Sequence, residues 1–216
     1  MNAHVNCQCI GLSHHCKLVV VTGGPGAGKT AVLEIAKRNF CDHIVIIPES
    51  ASIVFGGGFW RKESLPGKKA AQRAIFHVQR ELERMVIEEE IAAIALCDRG
   101  TLDGLAYWPE GPEVFFKEVG IQRDQELERY AAVIHLRTPN HDQGYNLSNP
   151  VRVETAEEAH QIDVRTEQAW DGHPNHYFID SGPEFLLKAQ RAMDIIRQTL
   201  PSCCQTHRIK EWSERP

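Results

Sequence analysis

No apolar run in this 216-residue sequence approaches the ~20 residues needed to cross a bilayer, so no membrane span is expected. Met1 to Cys16 lacks a basic start followed by an apolar core, so the pattern of a secretory signal is missing. The seven cysteines are odd in number and unpatterned, which points to reduced thiols in a cytoplasmic protein rather than a disulfide scaffold. Basic residues are scattered and the formal net charge is −5, which leaves no electrostatic footprint for nucleic acid. Internal repeats and a second-domain boundary are absent too. The sequence carries no mark of oligomeric state.

What is present fits one soluble α/β domain with room for a loop or lid. The hydrophobic fraction of 42% and charged fraction of 25% are those of a chain that packs an ordinary core. The chain is organised around Val19-Val20-Val21-Thr22-Gly23-Gly24-Pro25-Gly26-Ala27-Gly28-Lys29-Thr30. A β-branched apolar run leads into a glycine-dense turn, and a helical pattern follows. Residues 23 to 30 match G-x-x-x-x-G-K-[ST] between a strand and a helix, the context a phosphate-binding loop requires. Gly23, Gly24, Gly26 and Gly28, with Pro25 and Ala27 between them, let backbone N–H groups crowd a polyphosphate. The helix that follows adds its unsatisfied N–H groups and positive dipole end. Lys29 reaches the outer phosphates as a point charge, and the Thr30 hydroxyl suits Mg²⁺.

Residues 1–16 read as a flexible extension. Cys7, Cys9, His14, His15 and Cys16 match no standard zinc spacing, so a loose segment is expected there. Lys17–Thr22 is the first strand, continuous enough in apolar character to be buried on both faces. A helix over Thr30–Phe40 and a strand over His43–Ile47 follow, the strand ending at Pro48-Glu49-Ser50. Ligands of open α/β sheets bind at carboxyl strand ends, so Glu49 stands where a functional carboxylate belongs, or is an exposed loop glutamate. Residues 56–67 read as a loop whose Phe59, Trp60, Arg61 and Lys62 either contact a substrate or anchor a surface turn.

Lys68–Glu90 is a long amphipathic helix with Ala71, Ile75, Val78, Leu82 and Met85 as its apolar stripe, its charges forming a solvated face. Ile91–Cys97 is the third strand. It ends in Asp98-Arg99, a Walker-B arrangement in which the carboxylate holds Mg²⁺. Thr101–Trp108 begins a helix, and Glu113–Tyr130 is helical with a break near Gly120. Ala131–Leu136 is strand four, followed by Arg137 and a turn-rich stretch over 138–150, with Arg152 beyond it. A capping-box pattern at Thr155 opens a helix to about Trp170, striped by Ala159, Ile162, Thr166 and Ala169. His176–Ile179 is strand five, and Phe185, Ala189, Met193, Ile196 and Leu200 mark the last helix. The domain therefore spans 17–200, with a lid loop over 138–152 and a polar tail over 201–216. Five strands alternating with helices predict an α/β P-loop NTPase fold, a three-layer α/β/α sandwich with a five-stranded parallel sheet.

Nucleotide binding leaves the use of the nucleotide open. The chain is too short for the helical lid domain of mechanical ATPases. Strand four ends Leu136-Arg137-Thr138-Pro139, without the Asn-Lys-x-Asp guanine reader of GTPases, although that absence alone does not exclude GTP.

Asp98-Arg99 with Asp103 and Ala106-Tyr107 is similar to the Asp-Arg-Tyr…Ala-Tyr segment of thymidylate kinases. Glu49 resembles the glutamate of deoxynucleoside kinases that takes the proton from the acceptor hydroxyl. Arg137 and Arg152 flank the loop where those families carry lid arginines. A wider resemblance, from Leu18 to Leu200, rests on GGPGAGKT, Pro48-Glu49, CDRGTLDGLAYW, HLRT, NPVRVET and HPNHYFIDSG. These segments look like a small AAA-type ATPase family. It includes the ribosylnicotinamide kinase domain of bacterial NAD regulators and animal trafficking proteins that bind GTP and phosphoinositides.

The kinase side of that resemblance implies ATP with Mg²⁺ (GTP possible) as donor and a small hydroxylated metabolite, a nucleoside or riboside, as acceptor. Lys29, Glu49, Asp98, Arg99, Arg137 and Arg152 are then the catalytic set, with Thr30 and Asp98 on the metal. Glu49, Phe59, Trp60, Arg99 and Tyr107 would contact the acceptor. Each arginine has an alternative as a plain surface ion pair. The animal members imply the other outcome, a regulatory nucleotide binder with a protein or lipid partner.

Overall fold

The structure is a computed structural model that describes residues 15–90, 92–139, 156–182 and 184–205. Strand β1 (Lys17–Thr22) lies at the centre, and every residue after Lys17 is buried. Alternate side chains face opposite layers, as a strand's two-residue period requires. Val19 and Val21 pack with Val32, Leu33 and Ala36 of helix α1 (Lys29–Asn39) and with Ala192 and Met193 of a C-terminal helix. Leu18 and Val20 face the other way, toward Val86, Leu102 and Trp170. A fully buried valine contributes about 2 kcal/mol, so the strand is held by both layers rather than by its own propensity.

The sheet is wholly parallel in the order β2-β3-β1-β4-β5, with β2 at Ile44–Ile47, β3 at Ile94–Asp98, β4 at Tyr130–Leu136 and β5 at His176–Ile179. This is the expected P-loop α/β/α architecture. Its register positions the site. Val21 lies opposite Asp98, and Ile47 opposite Cys97. The ends of β1, β2 and β3 therefore deliver Gly23, Glu49 and Asp98-Arg99 to one edge of the sheet.

Several boundaries and faces differ from the sequence expectations. Lys29, not Thr30, opens α1. Helix α2 (Ser50–Gly56) was not anticipated, because Ser-Ala-Ser-Ile-Val-Phe is short and shows no helical period. The loop expected over 56–67 therefore shrinks to the stretch before α3 (Leu65–Glu89), which starts with a proline in its first turn. The inward face of α3 is Phe76, Gln79, Glu83 and Val86, and Met85 is 49% exposed. The charges of α3 are consequently not all solvated: Glu83 is fully buried. Strand β3 starts at Ile94, and Thr101–Tyr107 is a 3₁₀ helix. The 113–130 stretch does break at Gly120 as expected, into α4 (Pro112–Val119) and α5 (Arg123–Glu128), but Tyr130 is already in the strand.

Helix α6 (Ala156–Ala169) buries Ala159, Ile162, Thr166 and Ala169 as the stripe predicts. After α7 (Phe185–Thr199) the chain does not become a polar tail at once: Ser202–Gln205 forms α8 and buries Cys204. Residues 1–14, most of the 138–152 lid loop with Arg152, the Thr155 capping box and residues 206–216 lie outside the described residues.

Candidate functional site

The phosphate loop is shaped by contacts that exclude side chains. Gly23 adopts φ +132°, and a Cβ there would stand 2.1 Å from the Leu136 carbonyl oxygen. A Cβ at Gly24 would meet the Thr138 hydroxyl at 2.5 Å. The Asp163 carboxylate of α6 fixes the loop from behind. Asp163 Oδ1 accepts the Gly24 N–H at 2.6 Å and pairs with His135 Nε2 at 3.0 Å, while Oδ2 accepts the Thr138 N–H at 3.2 Å. Burial raises the Asp163 pKa, but the His135 contact and the two backbone donors outweigh it, so the net shift is downward. Gly28 leads into α1 with φ +95°, and the Phe185 ring covers the space beside it.

Lys29 Nζ is buried and donates to the carbonyls of Gly23 and Gly24, each at 3.0 Å. Burial first, and the Arg99 charge second, lower its pKa from 10.5 to about 7. Thr30 is exposed one residue on.

Arg99 joins this loop to the rest of the site. Its Nε donates to Glu49 Oε1 at 2.9 Å, and its Nη1 donates to the Gly23 carbonyl and to Asp103 Oδ1, both at 3.2 Å. The guanidinium also lies 5.8 Å from the centre of the Tyr107 ring. Arg99 is held at φ +72°, a left-handed conformation that a non-glycine residue keeps only when its surroundings impose it. Glu49 caps the start of α2, where Ser52 Oγ donates to its Oε2 at 2.5 Å. Burial pushes the Glu49 pKa up, but the Arg99 charge and these hydrogen bonds outweigh it, leaving the carboxyl below its ordinary 4.5 and ionised at neutral pH.

Asp98 differs. Its Oδ1 is buried and without a hydrogen-bond partner, and burial raises its pKa above 3.8 despite the nearby Lys29 charge. A buried carboxylate oxygen lacking a donor, next to a phosphate loop and an exposed Thr30 hydroxyl, fits a hard divalent cation such as Mg²⁺.

A cavity of about 540 Å³ opens on the Glu49–Arg99 side, with Pro25 on its rim. Tyr107, expected to contact the acceptor, lines it. Phe59 and Trp60 do not; Trp60 is 76% exposed and Lys62 Nζ sits over its ring. The aromatic and apolar walls come instead from Phe55, Ile75 and Phe76, with Arg61, Lys62 and Lys68 as basic groups. Arg165 of α6, not singled out from the sequence, also lines the cavity, whereas Arg137 does not. Arg137 forms a two-pronged ion pair with Glu167 and lies over the Phe178 ring at 4.7 Å.

A buried polar network underlies this wall and was also missed. Ser50 Oγ donates to Gln79 Oε1 at 2.6 Å, and Gln79 Nε2 donates to Glu83 Oε1 at 2.8 Å. Glu83 pairs with Arg129 and accepts the Tyr130 hydroxyl at 2.9 Å, and that hydroxyl oxygen in turn accepts the Thr101 N–H at 3.0 Å. Thr101 Oγ1 donates to Glu126. Asp103 carries a second hub: its carboxylate accepts from Thr22, Arg99, the Gly100 N–H and the Trp170 indole N–H. Helices α2, α3, α6 and the 3₁₀ segment are thus tied to the residues that hold Glu49 and Arg99. The signal available in the sequence was only that Gln79 and Glu83 share a helix face with Phe76 and Val86.

Comparison with known proteins agrees with this fold. Among solved structures, thymidylate kinase from Candida albicans is similar with a TM-score of 0.56 and 13% identity, over 87% of this chain and 93% of that one. That likeness concerns the fold. No curated protein matches the chain. The model of the AAA domain family matches residues 18–184, the stretch that contains the phosphate loop, Glu49, Asp98-Arg99 and all five strands. A P-loop nucleotide-binding domain of kinase-like fold, this chain belongs to the AAA domain family.

Proposed function

We propose that the protein is a Mg²⁺-dependent kinase that transfers the γ-phosphoryl group of ATP to a hydroxyl of a small metabolite, a nucleoside or riboside. The observation that carries this reading is the cavity beside the phosphate loop, walled by an ionised carboxylate and a guanidinium on adjacent strand ends. A switch or binding module needs a phosphate loop, but has no use for a second chamber of that size opening on it.

Phosphoryl transfer is chiefly a matter of positioning and charge neutralisation. Backbone N–H groups of the 23–30 loop and Lys29 would hold the donor's phosphates. Asp98 and Thr30 would hold Mg²⁺, which supplies neutralisation of charge on the phosphate oxygens when bound. Glu49 Oε1 or Oε2 accepts the hydroxyl proton as the acceptor oxygen bonds to the γ-phosphorus. The bond from phosphorus to the bridging oxygen breaks, and ADP leaves. Arg99, already oriented by Glu49 and Asp103, faces the transferring group from the cavity side, and Arg165 is the further cation within reach of the chamber. Tyr107 and Phe55 bring aromatic surface to the chamber, where the Arg61 guanidinium already lies 4.1 Å from the centre of the Phe55 ring. Basic groups on the rim favour an acceptor that carries negative charge, so phosphorylated nucleosides belong in the test beside neutral ones.

The test is a screen of nucleosides, ribosides and their monophosphates with ATP and Mg²⁺, with Glu49→Gln as the probe variant. Loss of the base should lower kcat by roughly 10²–10⁴-fold while ATP affinity stays near that of the parent. Full activity in Glu49→Gln removes Glu49 as the base. Turnover of no acceptor, together with tight nucleotide binding that alters affinity for a protein or lipid, overturns the kinase reading in favour of a regulatory one.

A further inference from the structure

We propose that Cys41, His43 and Cys204 form a zinc site that clamps the C-terminal helix α8 to the turn between α1 and β2. The three ligand atoms lie within 4.8 Å of one another. Cys41 Sγ is 3.8 Å from His43 Nδ1, and Cys204 Sγ is 3.5 Å from the same nitrogen. A tetrahedral ion with Zn–S of about 2.3 Å and Zn–N of about 2.0 Å sets the sulfur–nitrogen separation near ~3.6 Å. The observed separations bracket that value, so each sulfur already stands at coordinating distance from the His43 nitrogen.

The chemistry of the donors selects the metal. Two thiolates and an imidazole are soft-to-borderline ligands that suit Zn²⁺ and exclude Mg²⁺ or Ca²⁺. Both cysteines are thiols rather than a disulfide, and both are buried, Cys204 at 1% exposure. Three protein ligands leave one tetrahedral position for water. No sequence motif announces the site, because the second cysteine arrives 161 residues after His43. It lies away from the Glu49–Asp98 edge, since His43 precedes the amino end of β2 and Glu49 follows its carboxyl end.

The site has a mechanical role. Helix α1 starts at Lys29 and leads to Cys41; β2 starts just after His43 and leads to Glu49. An ion on this turn fixes the connection between the donor lysine and the acceptor carboxylate. Helix α8 is four residues long, and its own backbone ties, such as Cys204 N–H to the Pro201 carbonyl at 2.8 Å, are local. Two metal–ligand bonds to the α1–β2 turn give it a long-range anchor of the kind that couples metal binding to folding.

The full chain, purified under reducing conditions and dialysed against metal-free buffer, should retain about one zinc per chain. Cys204→Ser should lose that zinc, and zinc should raise the melting temperature of the parent but not of the variant. Cobalt(II) in place of zinc should give thiolate-to-metal charge-transfer absorption in the parent and none in Cys204→Ser. Cys204→Ser sits near the end of the described chain, on the four-residue α8, and Cys41→Ser repeats the measurement from the α1–β2 turn; both thiols are buried in one cluster. Should one variant fail to fold, the other decides, and the zinc content and cobalt spectrum of the parent decide independently of either. Parent protein that retains no zinc and shows no cobalt spectrum overturns the proposal. So does a metal signal that survives in Cys204→Ser, which would put the ion on other cysteines. A Cys41–Cys204 disulfide as the stable state of the purified chain overturns it as well.

Discussion

Lys29→Met should stabilise the nucleotide-free protein while abolishing nucleotide binding. The Lys29 side chain is 9% exposed, and its ammonium rests on the carbonyl oxygens of Gly23 and Gly24. Burial, reinforced by Arg99, brings its pKa from 10.5 to about 7. Between those values the unfolded chain binds more protons than the native one, so the stability of the parent rises with pH across the window. Below about pH 7 both states carry the charge and the penalty is complete, on the order of 5 kcal/mol at about 1.4 kcal/mol per pH unit. Methionine keeps the stem and removes the charge, but forfeits two hydrogen bonds of about 1 kcal/mol each. The variant should therefore exceed the parent by about 3 kcal/mol near pH ~6 and match it closely near pH ~9. Urea unfolding of both proteins at the two pH values measures this, and the difference between them cancels the titrating groups that do not feel the Lys29 charge. Calorimetry should show nucleotide binding lost in the variant. A variant less stable than the parent at the lower pH, or a difference that does not change with pH, refutes the reasoning.

Asp103→Asn turns one acceptor oxygen into a donor facing N–H or O–H groups and strips Arg99 of a counter-charge, so it should cost about 3–5 kcal/mol in urea unfolding. A loss under ~1 kcal/mol would mean that the network around Asp103 does not hold the site together. Tyr107→Leu should raise the KM for the acceptor and leave that for ATP unchanged, since Tyr107 lines only the cavity side. Trp60→Ala should leave both constants alone and stability within ~0.5 kcal/mol, because Trp60 projects into solvent; a large rise in acceptor KM would bring it back as a contact.

The parts of the site legible in the sequence are those encoded locally. A β-branched run followed by glycines and Lys-Thr can hardly fold otherwise, and apolar strands ending in Pro-Glu or Asp-Arg place those residues at the sheet's carboxyl edge once the strands align. What stayed hidden depends on tertiary packing. Glu83 looks like any charge on a long amphipathic helix until Arg129 and Tyr130 arrive from far along the chain to satisfy it. Asp163 and Arg165 are neighbours on one exposed-looking helix, yet one braces the phosphate loop and the other lines the cavity. The aromatic pair Phe59-Trp60 looked more like a substrate contact than Phe55 did. Only the unforeseen helix α2 reveals that Phe55 turns inward.

The buried network running from Ser50 through Gln79 and Glu83 to Thr101 leaves the residues that line the cavity with unequal freedom. Changing any residue of the network strands a desolvated partner elsewhere, so Glu49 and Arg99 rest on a foundation that resists drift. The rest of the lining, Phe55 and the segment 61–68, is held by local contacts such as Lys68 with Glu63 and Arg61 over Phe55, outside that network, and borders glycines at 56–58 that impose little on their surroundings. Acceptor preference can therefore be rewritten by substitution in that part of the lining while the machinery stays intact. A lineage built on this scaffold would diversify its substrates far more readily than its reaction.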